Sequence, residues 1–206
     1  CIRDRWREVF TDPQLQSLIE QGLKQNTDLL SAALNVKAAE ASLMSARLAY
    51  APSIGLSPQG TISSFDKNAA TKTYSLPVTA SWQVDLFGQL LNSKRNAQVT
   101  LKQTKAYRQA VQTQVIANIA NMYYTLLMLD RQLEITQATA EVLKRNAETV
   151  QALSERSTYT SAALAQSKAA YAQVVASIPD IEQSIRETEN ALSTFLGEAP
   201  HAIKRG

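Results

Sequence analysis

The sequence predicts a mainly α-helical chain interrupted by one β-hairpin, with helices long enough to form coiled-coil rods. Three observations carry this expectation. After Gly88, residues 89–153 contain neither proline nor glycine, which allows a helix of roughly 100 Å at 1.5 Å per residue. Between Ser53 and Leu86 the apolar spacing changes from helical to alternating. The 206 residues are 45% hydrophobic but only 6% aromatic, with six glycines and abundant alanine. That bias suits helices packed at close range, since alanine is the best helix former and lets backbones approach.

Residues 12–50 read as two helices. Asp12-Pro13 opens the first, because an aspartate caps free amides and proline is tolerated at the first helical position. Leu15, Leu18, Ile19 and Leu23 mark its apolar face. Gln25-Asn26-Thr27 interrupts the pattern, and a second helix runs to about Tyr50 with Leu30, Ala33, Leu34, Ala41 and Leu48 as its stripe. Ala51-Pro52 ends it.

The hairpin occupies 53–86, folded about a polar centre at Asp66-Lys67-Asn68. In its second run Tyr74, Leu76, Val78, Ala80, Trp82, Val84 and Leu86 face one way, while Ser75, Pro77, Thr79, Ser81, Gln83 and Asp85 face the other. Alternation alone reads first as an ordinary half-buried hairpin on a water-soluble core. Each run of roughly 11–13 residues also meets the length a tilted strand needs to cross a bilayer.

A long helix over 88–153 follows, with Leu101, Val111, Val115, Met122, Leu126, Leu129, Leu133 and Val142 spaced as a coiled-coil seam. After a polar break at Ser154 to Ser161, a helix over 161–196 carries Leu164, Tyr171, Val174, Ile178, Ile181, Ile185, Leu192 and Phe195. Gly197 and Pro200 stop it. Pro179 lies inside and is expected to kink it by removing one backbone hydrogen bond. The shorter helices sum to nearly the length of the long one, so they are expected to stack end to end beside it. One such pair buries a single side, which calls for further helices from elsewhere, and two membrane-length strands leave edges that need partners.

Catalysis finds little purchase. Cys1 and His201 are the only cysteine and histidine and lie at opposite ends, which removes Cys/His metal clusters, disulfides and nucleophile–histidine pairs within the chain. Met44, Met122 and Met128 read as core filler rather than soft-metal ligands. Asp85 and Glu198 have no partner base, and His201 reads as exposed loop. Neither metal, cofactor nor catalytic residue is expected. The net charge of +3 is scattered along helices, a solvated face rather than a nucleic-acid patch. Residues 109–129 lack charge, but Gln112, Gln114, Asn118 and Asn121 would be costly in lipid.

Trp82-Gln83-Val84-Asp85-Leu86-Phe87-Gly88, followed by Gln89-Leu90, Ser93, Arg95 and Ala97, resembles the strand-to-helix junction of the outer-membrane efflux channels that serve resistance-nodulation-division pumps. Further matches keep the family's order: Trp6 with Asp12-Pro13-Gln14-Leu15 and Leu18-Ile19, Ala51-Pro52-Ser53, Ala191-Leu192 and Leu196-Gly197-Glu198-Ala199-Pro200. The resemblance implies a homotrimer whose strands form one twelve-stranded transmembrane β-barrel, continued into the periplasm of a Gram-negative bacterium by a barrel of long helices. It also implies a periplasmic adaptor and an inner-membrane pump as partners, and passive export of small molecules as the function. Residues 1–206 correspond to the first of two tandem repeats, with 197–206 opening a linker to a second that would supply the gate.

The same resemblance assigns roles residue by residue. Tyr74, Leu76, Val78, Ala80, Trp82, Val84 and Leu86 would meet lipid, with Phe65, Tyr74 and Trp82 forming an interfacial girdle. Asp85, Leu86, Phe87 and Gly88 form the junction. Arg156, Thr158, Tyr159, Thr160 and Ala163 belong to the adaptor-contacting tip, where Arg156-Ser157-Thr158 replaces the family's usual glycine. Cys1 has two readings: the acylated first residue of a lipoprotein, or the start of a fragment. The family usually places a longer stretch before the tryptophan than Ile2 to Arg5. Two other functions remain: a water-soluble coiled-coil adaptor or scaffold, and a type I conduit that secretes proteins.

Overall fold

The computed structural model of the chain describes residues 2–63, 71–156 and 160–206. Cys1, Phe65, the expected turn at Asp66-Lys67-Asn68, and Ser157, Thr158 and Tyr159 of the expected tip lie outside the described residues. In chain order the elements are α1 (Ile2–Val9), α2 (Pro13–Gln25), α3 (Thr27–Leu48), β1 (Ser53–Leu56), β2 (Gln59–Ser63), β3 (Thr71–Ser75), β4 (Val78–Ser81), α4 (Gln89–Glu155) and α5 (Ser161–Leu196). Two compact units result, one of residues 1–31 with 110–206 and one of residues 32–109.

The first unit holds a mainly apolar core. Leu15 and Ile19 of α2, Val115, Ile119, Tyr123 and Leu126 of α4, and Ile181, Ile185, Leu192 and Leu196 of α5 are buried together with Trp6 and Ile203. α1 was not anticipated, and it supplies Trp6 to that core. Gly22 explains how closely α2 approaches α4: a Cβ there would sit 2.3 Å from Ile119 Cδ1. A mid-helix glycine costs up to about 1 kcal/mol of propensity, and here that cost is exchanged for close packing against a fully buried isoleucine. Asp12 caps α2 as expected, its Oδ1 accepting from Gln14 N at 2.8 Å. Gly197 adopts φ 78°, the left-handed conformation that closes α5 and that glycine takes without strain.

Along α4 the seam differs from expectation in detail. Val115 and Leu126 are buried and Met122, Leu129 and Leu133 pack against the core, but Val142 is 65% exposed. The lower stretch instead buries Ala140 and Ala147, seven residues apart. A small side chain at the seam lets helices approach, so alanines rather than the larger valine mark the contact there.

α3 reverses its expected face. Leu29, Ala32, Val36, Ala39 and Leu43 are buried, whereas Leu30, Leu34 and Leu48 of the expected stripe are exposed along with Met44. The helix is apolar on two sides, and this chain covers the side of Leu29, Val36 and Leu43.

In the second unit the four strands form one ladder in two pieces. β1 pairs antiparallel with β4, Ser53 opposite Ser81 through Leu56 opposite Val78. β2 pairs with β3 in the same register, Gln59 opposite Ser75 through Ser63 opposite Thr71. That register puts Pro58 opposite Leu76 and Pro77 opposite Ser57, and Ser57 N–H still donates to Pro77 O at 3.2 Å. Proline lacks the amide a ladder needs, so one proline on each strand divides a continuous hairpin. The ladder also ends earlier than expected: β4 stops at Ser81, and Trp82, Val84 and Leu86 follow it outside any strand. Leu86 N–H turns back to Val84 O at 3.2 Å, which closes off an extended course to Leu86.

Candidate functional site

Paired residues across an antiparallel ladder share a face, and the observed register extends the alternation from one strand to both. Ile54, Leu56, Pro58 and Ile62 join Tyr74, Leu76, Val78 and Ala80 on the apolar side. The other side carries Ser53, Gly55, Ser57, Gln59, Thr61 and Ser63 with Thr73, Ser75, Pro77, Thr79 and Ser81, all uncharged and mostly hydroxyl-bearing. Ser53 and Ser81 link their hydroxyls at 2.7 Å on this polar side. Both sides are exposed: Ile54, Leu56, Ile62, Tyr74, Leu76 and Val78 all stand open. The apolar face of the first run was not read from the sequence. Its signal is present as Ile54, Leu56 and Pro58, but Gly60 interrupts it and only the register shows that Ile62 continues it.

The junction from hairpin to α4 is built by two residues of the expected motif, Asp85 and Gly88. Gly88 has φ 74°, where a Cβ would be strained. Its carbonyl accepts from Asn92 N at 2.9 Å, making it the cap of α4. Asp85 Oδ2 accepts from Leu91 N at 2.9 Å, satisfying a second free amide and placing a negative group at the positive helix end. Phe87, between them, is 96% exposed and Leu86 nearly as open. Trp82 donates its Nε1–H to Tyr50 O at 3.2 Å, joining the residue after β4 to a residue two places past the end of α3.

At the other end of α4, Arg156 N–H donates to Leu153 O at 3.2 Å and closes the helix. Thr160 caps α5, its hydroxyl accepting from Ala163 N at 3.3 Å. Arg156 and Thr160 are exposed and Ala163 is half-buried. α5 runs through Pro179 without interruption, and the proline lies on its exposed side.

The first unit contains its own polar lock. Tyr123, fully buried, donates its hydroxyl to Asp12 Oδ2, and Gly206 N–H donates to the same phenol oxygen at 3.3 Å. The Tyr123 hydrogen bond holds the Asp12 carboxyl below its ordinary 3.8, while burial, helped by that bond, raises the Tyr123 phenol above 10.0. Arg205 reaches between Asp130, Nη2 to Oδ1 at 2.8 Å, and Glu189, and these bonds hold its guanidinium well above the usual range. His201 is about half exposed, as expected of a loop. Among the described residues no group of histidine, cysteine or acidic side chains is placed to hold a metal ion, and no helix is long and apolar enough to cross a membrane.

A sequence profile described as outer membrane efflux protein matches residues 18–198. The outer membrane protein TtgC, a probable efflux pump component of Pseudomonas putida, is 29% identical over 163 residues, covering 75% of this chain and 32% of TtgC. The cation efflux system protein CusC of Escherichia coli is 28% identical over 160 residues, 77% of this chain and 34% of its own. The chain thus spans about a third of the curated relatives it matches. In structure, a CusC chain superposes with TM-score 0.82 at 25% identity, covering 98% of this chain and 48% of that one. The outer membrane protein VceC from Vibrio cholerae gives TM-score 0.83 at 24% identity, covering 95% and 50%.

Proposed function

This chain belongs to the outer membrane efflux protein family, and we propose that it builds the first of two repeats of a passive export conduit through the outer membrane. The hairpin carries the reading: one face is apolar from the Ile54–Ala80 pair to Tyr74, with Lys72 beyond it, the other is uncharged and mostly hydroxyl-bearing, and both are uncovered by the chain's own helices. An ordinary half-buried hairpin would cover its apolar face with protein. A strand with lipid on one side and water on the other needs this two-sided exposure. Val78 and its neighbours then meet hydrocarbon, while the hydroxyls of Thr79, Ser81 and Ser53 line the lumen. Selection works by width and lining chemistry, with the energy supplied by a pump elsewhere and no bond chemistry in this chain.

Assembly follows from what the chain lacks. A two-stranded ladder has open edges that lipid does not tolerate, and a homotrimer with a second hairpin per chain closes a twelve-stranded barrel. The exposed stripe of α3 at Leu30, Leu34, Met44 and Leu48 is the side such a helical barrel would cover. Arg156, Thr160 and Ala163, with Thr158 and Tyr159, form the tip that meets a periplasmic adaptor.

The test is conductance of the full-length protein, purified as an oligomer and added to a planar bilayer. Stable channels are expected, altered in ion selectivity by a charge introduced at Thr79. A protein that stays in aqueous solution without detergent and conducts nothing would instead support the coiled-coil scaffold. Small-molecule export and type I protein secretion are separated by complementation of an export-deficient strain with each cargo class.

A further inference from the structure

The end of the hairpin nearest the helices limits how deep the hydrocarbon reaches. Lipid tolerates no unpaired backbone amide or carbonyl. The ladder ends at the Ser53–Ser81 pair, and from there to Gln89 the chain is neither strand nor helix. The first side chain beyond that pair in the apolar series is Trp82, 66% exposed, with its indole N–H tied to Tyr50 O. Lys94 Nζ lies 5.8 Å from the centroid of the Tyr50 ring. Arg47 and Arg95, both exposed, flank these residues in sequence. The nearest acid in sequence, Asp85, is occupied at the start of α4 by Leu91 N–H.

The chemistry is that of a membrane interface. Indole and phenol rings settle at headgroup level because they offer an apolar body and a polar edge, and cationic side chains there meet phosphate. Spacing agrees. Tyr74 lies eight residues before Trp82 in the same series, roughly 26 Å along a strand at 3.3 Å per residue. A tilt of about 40° reduces this to roughly 20 Å of depth, near the apolar band of about 25 Å in membrane barrels. Beyond Tyr74 the next residue on that face is Lys72, opposite Ile62. Aromatic and basic groups therefore bracket the apolar stretch at both ends.

We infer that Trp82, Tyr50 and Lys94 form a seat for the headgroup of an anionic glycerophospholipid, at the level where the leaflet nearest the helices ends. The inference rests on the barrel reading of the hairpin and adds a depth and a lipid preference to it.

The test uses the full-length protein in vesicles of phosphatidylcholine mixed with phosphatidylglycerol. Lipids brominated at different depths quench tryptophan emission, and subtraction of the Trp82→Phe variant isolates Trp82. Bromines near the acyl carbonyl are expected to quench it most. In native mass spectrometry, Lys94→Gln is expected to lower retention of phosphatidylglycerol relative to phosphatidylcholine about fivefold, and Lys94→Arg to preserve it. Strongest quenching from mid-chain bromines would put Trp82 inside the hydrocarbon and overturn the depth. An unchanged lipid ratio in Lys94→Gln, or an equal loss in Lys94→Arg, would overturn the seat while leaving the barrel standing. Absence of quenching from every depth would remove the barrel reading as well.

Discussion

The side chain of Asn26 donates from Nδ2 to the carbonyl of Phe195, 169 residues away in sequence, at 3.0 Å. Its Oδ1 accepts from Asp28 N at 3.0 Å and Leu29 N at 3.1 Å, and its own amide donates to Gly22 O at 2.9 Å. One residue, 2% exposed, thus ends α2, starts α3 and satisfies a carbonyl in the last turn of α5. Helix ends leave four amides or four carbonyls without intrahelical partners, and burial makes each orphan costly. Asparagine suits this place because it carries a donor and an acceptor on one short side chain.

Asn26→Ala is expected to destabilise the fold by about 2–3 kcal/mol, summing a lost cap and a buried carbonyl left unpaired. Asn26→Ser keeps an acceptor for α3 but loses the reach to Phe195, and about half the cost is expected. Chemical denaturation of the detergent-solubilised protein compares the three. Equal stability of Asn26→Ala and the parent would mean that water replaces both contacts.

Arg205 joins Asp130 on α4 to Glu189 on α5, with Arg205 and Glu189 both largely buried. Arg205→Met removes the cation and leaves Glu189 Oε1 with only the Ile203 amide, at 3.3 Å. Hydrogen bonds between charged groups contribute about 1.5–3 kcal/mol, and stranding one partner adds to the loss. A fall in stability of about 2–3 kcal/mol is expected, mostly recovered when Glu189→Gln is added. A double-mutant cycle measures that recovery; simple additivity of the two changes would show that the groups act independently.

The Asp12–Tyr123 bond makes the first unit sensitive to pH at both extremes. Asp12 has its folded-state pKa below the unfolded 3.8, so its contribution is present above that value and disappears as pH falls through the lower folded one. Tyr123 has its folded-state pKa above 10.0, so its contribution is complete below pH 10 and is lost as pH rises through the higher folded one. Tyr123→Phe should flatten the stability profile at both ends, while Asp12→Asn should remove the acid limb. Unchanged limbs in a pH series of thermal melts would place the titrating groups elsewhere.

How much of this was legible beforehand depends on the range of the interaction concerned. The Asp12-Pro13 start, the Gly197 stop and Ile181, Ile185 and Leu192 of the α5 stripe are local patterns, and they appear as read, while at the end of that stripe Leu196 is buried and Phe195 only partly so. The resemblance at Trp82 to Gly88 pointed to the family, and the left-handed Gly88 and the Asp85 cap give that motif a physical reason. Legibility failed where two answers are locally equal. α3 has two apolar stripes, and nothing within residues 27–48 says that Leu29 and Val36 rather than Leu30 and Leu34 meet this chain's own residues. Asn26 read as an interruption because its partner at Phe195 belongs to another helix, and Arg205 carried no signal because its acids lie far back in sequence. The end of β4 at Ser81 likewise depends on a partner strand that begins at Ser53.

The uncovered stripe of α3 gives a separable expectation for assembly. Leu34 is 62% exposed and Met44 is 61% exposed, so replacing either by glutamate removes little packing within one chain. Leu34→Glu with Met44→Glu is therefore expected to leave helix content unchanged while shifting the full-length protein from oligomer to smaller species in native gels. An oligomer of unaltered stability would show that this stripe faces solvent or lipid rather than a sister copy.

Val78 and Thr79 provide the sharpest comparison, since they are neighbours on one strand with opposite faces. Val78 pairs with Leu56 on the apolar side and sits midway between Tyr74 and Trp82, at the expected centre of the hydrocarbon. An arginine at the midplane of a barrel's lipid face costs about 2–4 kcal/mol. Val78→Arg is therefore expected to reduce heat-resistant oligomer in outer-membrane fractions sharply. Thr79 pairs with Gly55 on the polar side, where an added cation meets water, so Thr79→Arg is expected to assemble normally and to shift single-channel selectivity toward anions. If both variants assembled equally well, the apolar face would not be touching lipid. If Thr79→Arg alone failed to assemble, the hydroxyl face would be covered rather than open to water, and the lumen would lie elsewhere.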